Sequence, residues 1–208
     1  MRKIQSDTQG TYFEDDGGWR YRRLIGGVAM PARGRSGFLV VLGEDLDKDW
    51  DQQERHLRLI LERNECLGRS FLDAAAVFAE CSRLTREMKV YPWVGDTGPY
   101  RHDLSAHNRE AYKLRQAPVQ IISPPGGHGF EYYAQLVKAR MLHKKTLHLD
   151  SGVVPARLSA LPLDLSGEHF EDHPEASALL YAVAAAELTG KEDVRSQTPK
   201  RRASPAGY

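Results

Sequence analysis

Three carboxylates occupy positions that suit metal-ion or acid–base chemistry. Asp73 stands where the apolar pair Phe71-Leu72 gives way to a helical pattern starting at Ala74. In an α/β sheet, carboxylates at the carboxyl ends of strands converge on the crevice where ligands bind. Aspartate is also a good helix cap, accepting a backbone N–H of the first turn, and both roles are open to Asp73. Asp172 and Glu175 begin the last helical segment. Three residues apart, they share a helix face and could hold a divalent ion if a third acid met them from a sheet. Acids in a first turn also favour the helix dipole and complete capping boxes, so the pair has a purely structural reading too.

Other chemistries find less in the sequence. Gly190-Lys191-Glu192 lacks the upstream glycine and the Ser/Thr of a nucleotide-binding Walker loop, and Gly126-Gly127-His128-Gly129 has no lysine and fits no dinucleotide fingerprint. The latter precedes a helix, whose N-terminal N–H groups could meet an anion or simply follow a turn. The histidines at 102, 107, 128, 143, 148, 169 and 173 show no paired metal-ligand spacing and read as solvated or core residues. No Gly-x-Ser-x-Gly elbow supports serine hydrolysis. Only Cys66 and Cys81 are present, too few for a disulfide framework or a cysteine-rich zinc site.

The elements that would position the acids alternate between strand and helix. Residues 1–18 are polar and read as a flexible lead or a short edge strand, with the domain beginning near Trp19. Tyr21–Met30 and Phe38–Leu42 read as two strands joined by turn residues. The first carries Gly26 and Gly27 without clean alternation, as a buried strand does. Lys48–Glu65 reads as a helix with Trp50, Leu57, Ile60 and Leu61 on one face. A short strand, Arg69–Leu72, stops at Asp73. A helix over Ala74–Met88 follows, then a strand over Val90–Val94 closed by Gly95-Asp96-Thr97-Gly98-Pro99. Such alternation belongs to an α/β sheet with helices on its faces.

Residues 97–116 are polar, carry His102 and His107, and read as a long loop or insertion. Val119–Ile122 is a predicted strand, Phe130–Met141 a helix, Thr146–Leu149 a short strand, and residues 150–167 irregular. The last helix is predicted from His173 to about Leu188, with Asp172 as N-cap, Pro174 in the first turn, and Gly190 as its end. The remaining residues, rich in Pro, Ser and Arg, are expected to be a disordered tail. The organisation is therefore a lead (1–18), a domain (19–189) and a basic tail (190–208).

Of 208 residues, 41% are hydrophobic and 27% charged, values of an ordinary globular chain. No apolar run reaches the ~18 to 20 residues of a membrane span, and the basic start lacks the apolar stretch of a secretory signal. A cytoplasmic location is expected. Lysine and arginine total 29 against 28 acids, and the tail takes five of the former and two of the latter, leaving 24 basic and 26 acidic side chains in residues 1–189. A protein that holds duplex DNA alone usually has a marked basic excess. Any contact with nucleic acid is expected to be local, transient or shared with a partner.

Taken in order, these stretches resemble the C-terminal nuclease domain of phage terminase large subunits, which has an RNase H-like fold. Leu24-Ile25-Gly26-Gly27-Val28-Ala29-Met30-Pro31 followed by Phe38–Leu42 is similar to the family's glycine-rich first strand and its second strand. Phe71-Leu72-Asp73-Ala74 through Phe78 is similar to a later strand ending in an acid that opens a helix. Glu171-Asp172-His173-Pro174-Glu175-Ala176 with Tyr181-Ala182 approaches the start of the family's last helix. The resemblance spans about residues 19–189 through short motifs.

It implies an RNase H-like mixed sheet flanked by helices. It also implies a two-metal endodeoxyribonuclease using magnesium or manganese, held by Asp73, Asp172 and Glu175, and acting on double-stranded DNA in viral DNA packaging. Where the family has its first-strand aspartate, this chain has Val28-Ala29-Met30, which cannot ligate a hard cation through side chains. The acidic triad is incomplete on that account, and Glu44 or Asp45 is the available substitute. The family's ATPase motor has no counterpart in the chain, so a separate terminase ATPase or a portal is the expected partner, in the host cytoplasm if the chain is phage-encoded. A second expectation is a catalytically inactive RNase H-like module for binding or assembly. A carboxylate facing Ala29 across the sheet would distinguish the two.

Overall fold

The structure, a computed structural model, describes residues 1–6, 10–32, 35–46, 55–63, 65–66, 69–70, 73–124, 130–150, 154, 156 and 173–196. Its centre is β3 (Arg20–Ala29), the buried strand expected from the Gly26-Gly27 run. β4 (Phe38–Asp45) lies antiparallel along one edge of β3, from Tyr21↔Asp45 to Ala29↔Phe38. β5 (Leu57–Arg63) lies antiparallel to β4. Two strands share the other edge of β3. β2 (Gly10–Glu14) pairs with its start, antiparallel, through Phe13↔Tyr21. β8 (Trp93–Gly95) pairs with its end, parallel, through Gly26↔Trp93 and Val28↔Gly95.

Three short strands complete this sheet. β1 (Arg2–Ser6) borders β2, β9 (Ile121–Ile122) runs parallel to β8, and β10 (Leu147–His148) runs parallel to β5. Through the middle the order is β5, β4, β3, β8, β9. It is an antiparallel meander of three strands followed by two strands parallel to the first. β6 (Glu65–Cys66) and β7 (Arg69–Ser70) form a separate two-stranded ladder.

Side chains alternate across β3 and β4, and each face has its own core. Leu24, Val28, Leu39 and Val41 point to the face covered by α1 (Ala74–Met88), where they meet Val77, Cys81, Leu84 and Trp93. α2 (Arg101–Lys113) packs on α1. Ile25, Ala29, Phe38, Val40 and Leu42 point to the face covered by α4 (Pro174–Ser196). α3 (Phe130–Lys138) runs into a π-helical turn at Ala139–His143 and packs on α4. Residues 176–186 of α4 are buried on every side, the pattern of a central helix rather than a surface one. Gly27 explains the closeness of α4. A Cβ there would stand 1.9 Å from the Ala178 carbonyl oxygen and 2.3 Å from the Ala182 nitrogen. No helix among the described residues is long and apolar enough to cross a membrane.

The mixed α/β sheet and the helices over 74–88, 130–141 and 173–188 match the sequence reading, but several segments differ. In place of the helix expected over Lys48–Glu65, residues 57–63 form β5, and 47–54 lie outside the described residues. A bulge explains the helix-like spacing. Val41 pairs with Leu61 and Leu42 with Leu59, so Ile60 is an extra residue that switches faces. Leu59 therefore packs toward α4 while Ile60 and Leu61 pack toward α1.

The loop expected over 97–116 contains a 3-10 turn (Gly98–Tyr100) and α2, a polar helix in which only Ala111 is buried. The lead expected at 1–18 contains the paired strands β1 and β2. α4 passes through Gly190 to Ser196, so 190–196 are helical rather than a tail. A glycine costs a helix only about 1 kcal/mol, which the preceding turns outweigh. Residues 197–208 and most of 150–167 lie outside the described residues.

Candidate functional site

The carboxyl ends of β3 and β8 open into a cleft of about 180 Å³ lined by Ala29, Met30, Pro31, Ala32, Asp96, Pro99, Tyr100, Pro174, Ser177 and Tyr181. Parallel strands and a crossing helix create it. Val28 pairs with Gly95, so the next residues, Ala29 and Asp96, come side by side as the two strands end. Asp96 is exposed, and one of its carboxylate oxygens accepts the Gly98 N–H at 2.9 Å, which turns the chain away from the sheet. The first two turns of α4 supply the opposite wall, with Ser177 and Tyr181 buried in it.

A larger groove of about 1150 Å³ adjoins this cleft, between α2 and the start of α1. Pro31, Ala32 and Tyr100 line both spaces, and the Tyr100 hydroxyl donates to the Pro31 carbonyl between them. The groove carries Arg35, Arg109 and Lys113 against Asp73, Asp103 and Glu110. Lys113 and Glu110 are paired at 2.6 Å, so the lining has no sustained positive field for a phosphate chain.

Asp73 belongs to the groove rather than to the cleft with Asp96. The sheet explains this. Among the described residues β7, ahead of Asp73, pairs with β6 apart from the main sheet, and Phe71 and Leu72 lie outside them. Its carboxylate accepts the Ala76 N–H at 2.7 Å and caps α1. Glu175 lies in the first turn of α4, between the cleft residues Pro174 and Ser177, half-buried. Asp172 lies outside the described residues. Asp73 and Glu175 thus open helices on opposite faces of the sheet.

Among the described residues no group of three or more His, Cys, Asp or Glu comes together to hold a metal ion. A two-ion centre built on three carboxylates does not fit these residues, because the methyl group of Ala29 stands beside Asp96 where a bridging acid would be needed. Glu44 cannot replace it. Glu44 pairs in register with Arg23 and Ala29 with Phe38, and six residues of strand separate the two positions by roughly 20 Å. Glu44 is also fully buried, with Arg23 Nε at 2.6 Å, Arg55 at 3.7 Å and Arg22 at 4.0 Å.

The histidines divide by environment. His107 faces Ser82 Oγ at 2.8 Å and packs against the Phe78 ring, and burial pushes its pKa below the ordinary 6.5. His102 and His143 are exposed and His173 is half-buried, while His128 and His169 lie outside the described residues. His56 and His148 face each other across the β5–β10 junction.

Asp96 as a strand acid, the arginines around Glu44, and the pairing of His56 with His148 are what sequence reasoning passed over. Asp96 left a usable signal, since an apolar run closed by Gly95-Asp96 is a strand ending in an acid as much as a turn. The other two depend on contacts between distant segments. Comparison of the chain with protein-family models, with curated proteins and with solved structures returns no match.

Proposed function

We propose that this chain is an RNase H-like domain of the terminase nuclease kind, acting on double-stranded DNA in viral DNA packaging, with Asp96 rather than Asp73 as its strand acid. The observation that carries the reading is the position of Asp96 beside Ala29, at the ends of two adjacent parallel strands and facing the first turn of α4. Acids at such strand ends collect where an α/β sheet takes its ligands. The strand order β5, β4, β3, β8, β9, with α1 on one face and α4 on the other, supports the RNase H-like part of the proposal. Magnesium or manganese is the ion this kinship implies, and among the described residues Asp96 and Glu175 are the acids near the cleft, too few for a two-ion centre. Cleavage is expected to be weak, since Ala29 and Met30 add no ligand. The partners this kinship implies are a terminase ATPase and a portal.

The apolar floor at Ala29 also favours a second reading, in which the domain binds or assembles in a DNA-processing complex without cutting. Incubation of supercoiled plasmid with purified protein in magnesium or manganese, beside Asp96→Ala and Glu175→Ala, separates them. Ion-dependent nicking that Asp96→Ala abolishes supports the nuclease reading. Folded protein that retards DNA without nicking it supports the second. Neither nicking nor retardation, with or without the partner motor, overturns both.

A further inference from the structure

His56 lies directly ahead of β5 and His148 lies in β10. His56 Nδ1 stands 3.1 Å from His148 Nε2, a hydrogen bond between two half-buried imidazoles whose planes are 15° apart. The backbone fixes this contact. Leu147 and His148 pair in register with Leu57 and Arg58, the Leu57 N–H donates to the Thr146 carbonyl at 2.7 Å, and the Asp45 N–H donates to the His56 carbonyl at 2.9 Å. A hydrogen bond between two ring nitrogens holds one proton. It forms when both rings are neutral, one donating and the other accepting, and it forms when one ring is charged. With both rings charged, each nitrogen carries a proton aimed at the other, and two like charges meet at contact distance. The second charge therefore enters only as the rings part.

The charges around the junction do not favour that second proton, because arginines already share the nearby carboxylates. From β3 and β4, Arg23 Nε meets Glu44 at 2.6 Å, and Arg55, beside His56, approaches the same carboxylate at 3.7 Å. Asp45, the other acid at the end of β4, is buried and acts on Tyr21. Along β5 and β10, Arg58 pairs with Asp150. From the π-helical turn and α4, Arg140 pairs with Glu187 and also donates to the Arg55 carbonyl at 2.9 Å. His143, Lys144 and Lys145, on the turn ahead of β10, are exposed.

We propose that the His56–His148 hydrogen bond is a proton-sensitive latch, which holds β10 on β5 at neutral pH and releases it on acidification. β10 has only two residues in the sheet, paired at two positions, so little other backbone bonding holds it there. The chain that follows stays on the same edge, where Asp150 pairs with Arg58 and Glu62 accepts the Val154 N–H at 2.8 Å. Opening would bare backbone N–H and C=O groups of β5, an edge to which another strand can add. The sign follows from the proton count. The open form takes one proton more than the closed form, so its share rises about tenfold for each pH unit below the ordinary imidazole range, near about pH 6.5. The latch lies apart from the acidic cleft and does not rest on the DNA reading.

The test is hydrogen exchange of the Leu57 amide, which donates to Thr146, followed by NMR in the full chain from about pH 7.5 to about 5 and corrected for the pH dependence of exchange itself. Protection should hold at neutral pH and then fall about tenfold per pH unit. His56→Gln and His148→Gln should each keep the protection and lose this pH dependence, because an amide side chain both donates and accepts and does not titrate. Both variants retain His107, so its own pH dependence cancels in the comparison. Wild-type protection that does not change with pH overturns the proposal, as does an acid loss of equal size in both variants. Should a variant fail to fold or lose protection throughout, the imidazole proton signals of the wild type decide. Both signals changing together in two separated steps supports the latch, and two independent single steps overturn it.

Discussion

Asp96 and Ala29 end neighbouring parallel strands one step beyond the Val28–Gly95 pair, and both line the cleft at the start of α4. An acid and a methyl group therefore share the place where two acids would make an ion site. On the proposed nuclease reading, this pairing explains why cleavage should be weak.

Ala29→Asp should turn that place into a metal site. Without a divalent ion, two carboxylates side by side repel and one is buried, and the variant should lose about 1 to 3 kcal/mol of stability. Magnesium or manganese should restore the loss by binding the folded state, and ion-dependent nicking should rise above wild type. Thermal unfolding with and without each ion checks this, and a loss that neither ion recovers would count against an ion site beside Asp96.

Asp73→Ala should behave differently from Asp96→Ala. Asp73 accepts the Ala76 N–H, and losing that cap should cost about 1 kcal/mol with nicking unchanged. Chemical denaturation paired with the plasmid assay tests it. A folded Asp73→Ala protein without activity, alongside an active Asp96→Ala, would return the strand-acid role to Asp73.

Glu44→Ala should be among the most damaging single changes. It removes a fully buried carboxylate that three arginines approach at the β3–β4 junction. The expected cost is about 3 to 5 kcal/mol, read as a lower midpoint in urea.

Gly27→Ala should displace α4. The added carbon would fall within 2.3 Å of two α4 backbone atoms, neither of which can move without the helix. A loss of about 3 kcal/mol or more is expected. A circular-dichroism melt of this variant equal to wild type would show that α4 does not sit on Gly27.

His107 should make stability depend on pH. Its pKa is lowered by burial below the ordinary 6.5, so between the two values the unfolded chain holds more protons than the folded one. Its contribution is complete above about pH 6.5 and is lost as the pH falls through the folded value. His107→Gln should flatten that part of the stability profile, which urea midpoints from pH 7.5 to 5 would show.

Residues whose order comes from local periodicity were legible in the sequence. The stripe of Val77, Phe78, Cys81 and Leu84 marks α1 because 3.6-residue spacing puts those side chains on one buried face. Leu57 to Leu61 misled, since a bulge at Ile60 breaks the two-residue period and imitates a helix. The polar α2 misled in the opposite way, because its contacts are with α1 through groups such as His107 and Ser82 rather than through an apolar stripe.

By itself, the sequence determined that the chain is a mixed α/β protein, with a buried glycine-bearing strand and a last helix opened by acids. Those properties follow from residue type and spacing along a few turns of chain. Only the tertiary structure decided which acid faces that strand. β7 pairs away from the main sheet while β8 joins β3, and this choice puts Asp96 at the cleft and leaves Asp73 as a helix cap. Strand pairing joins segments some 65 residues apart, and the hydrogen bonds that select it are the same backbone groups at every residue, so the sequence carries no local mark of the partner.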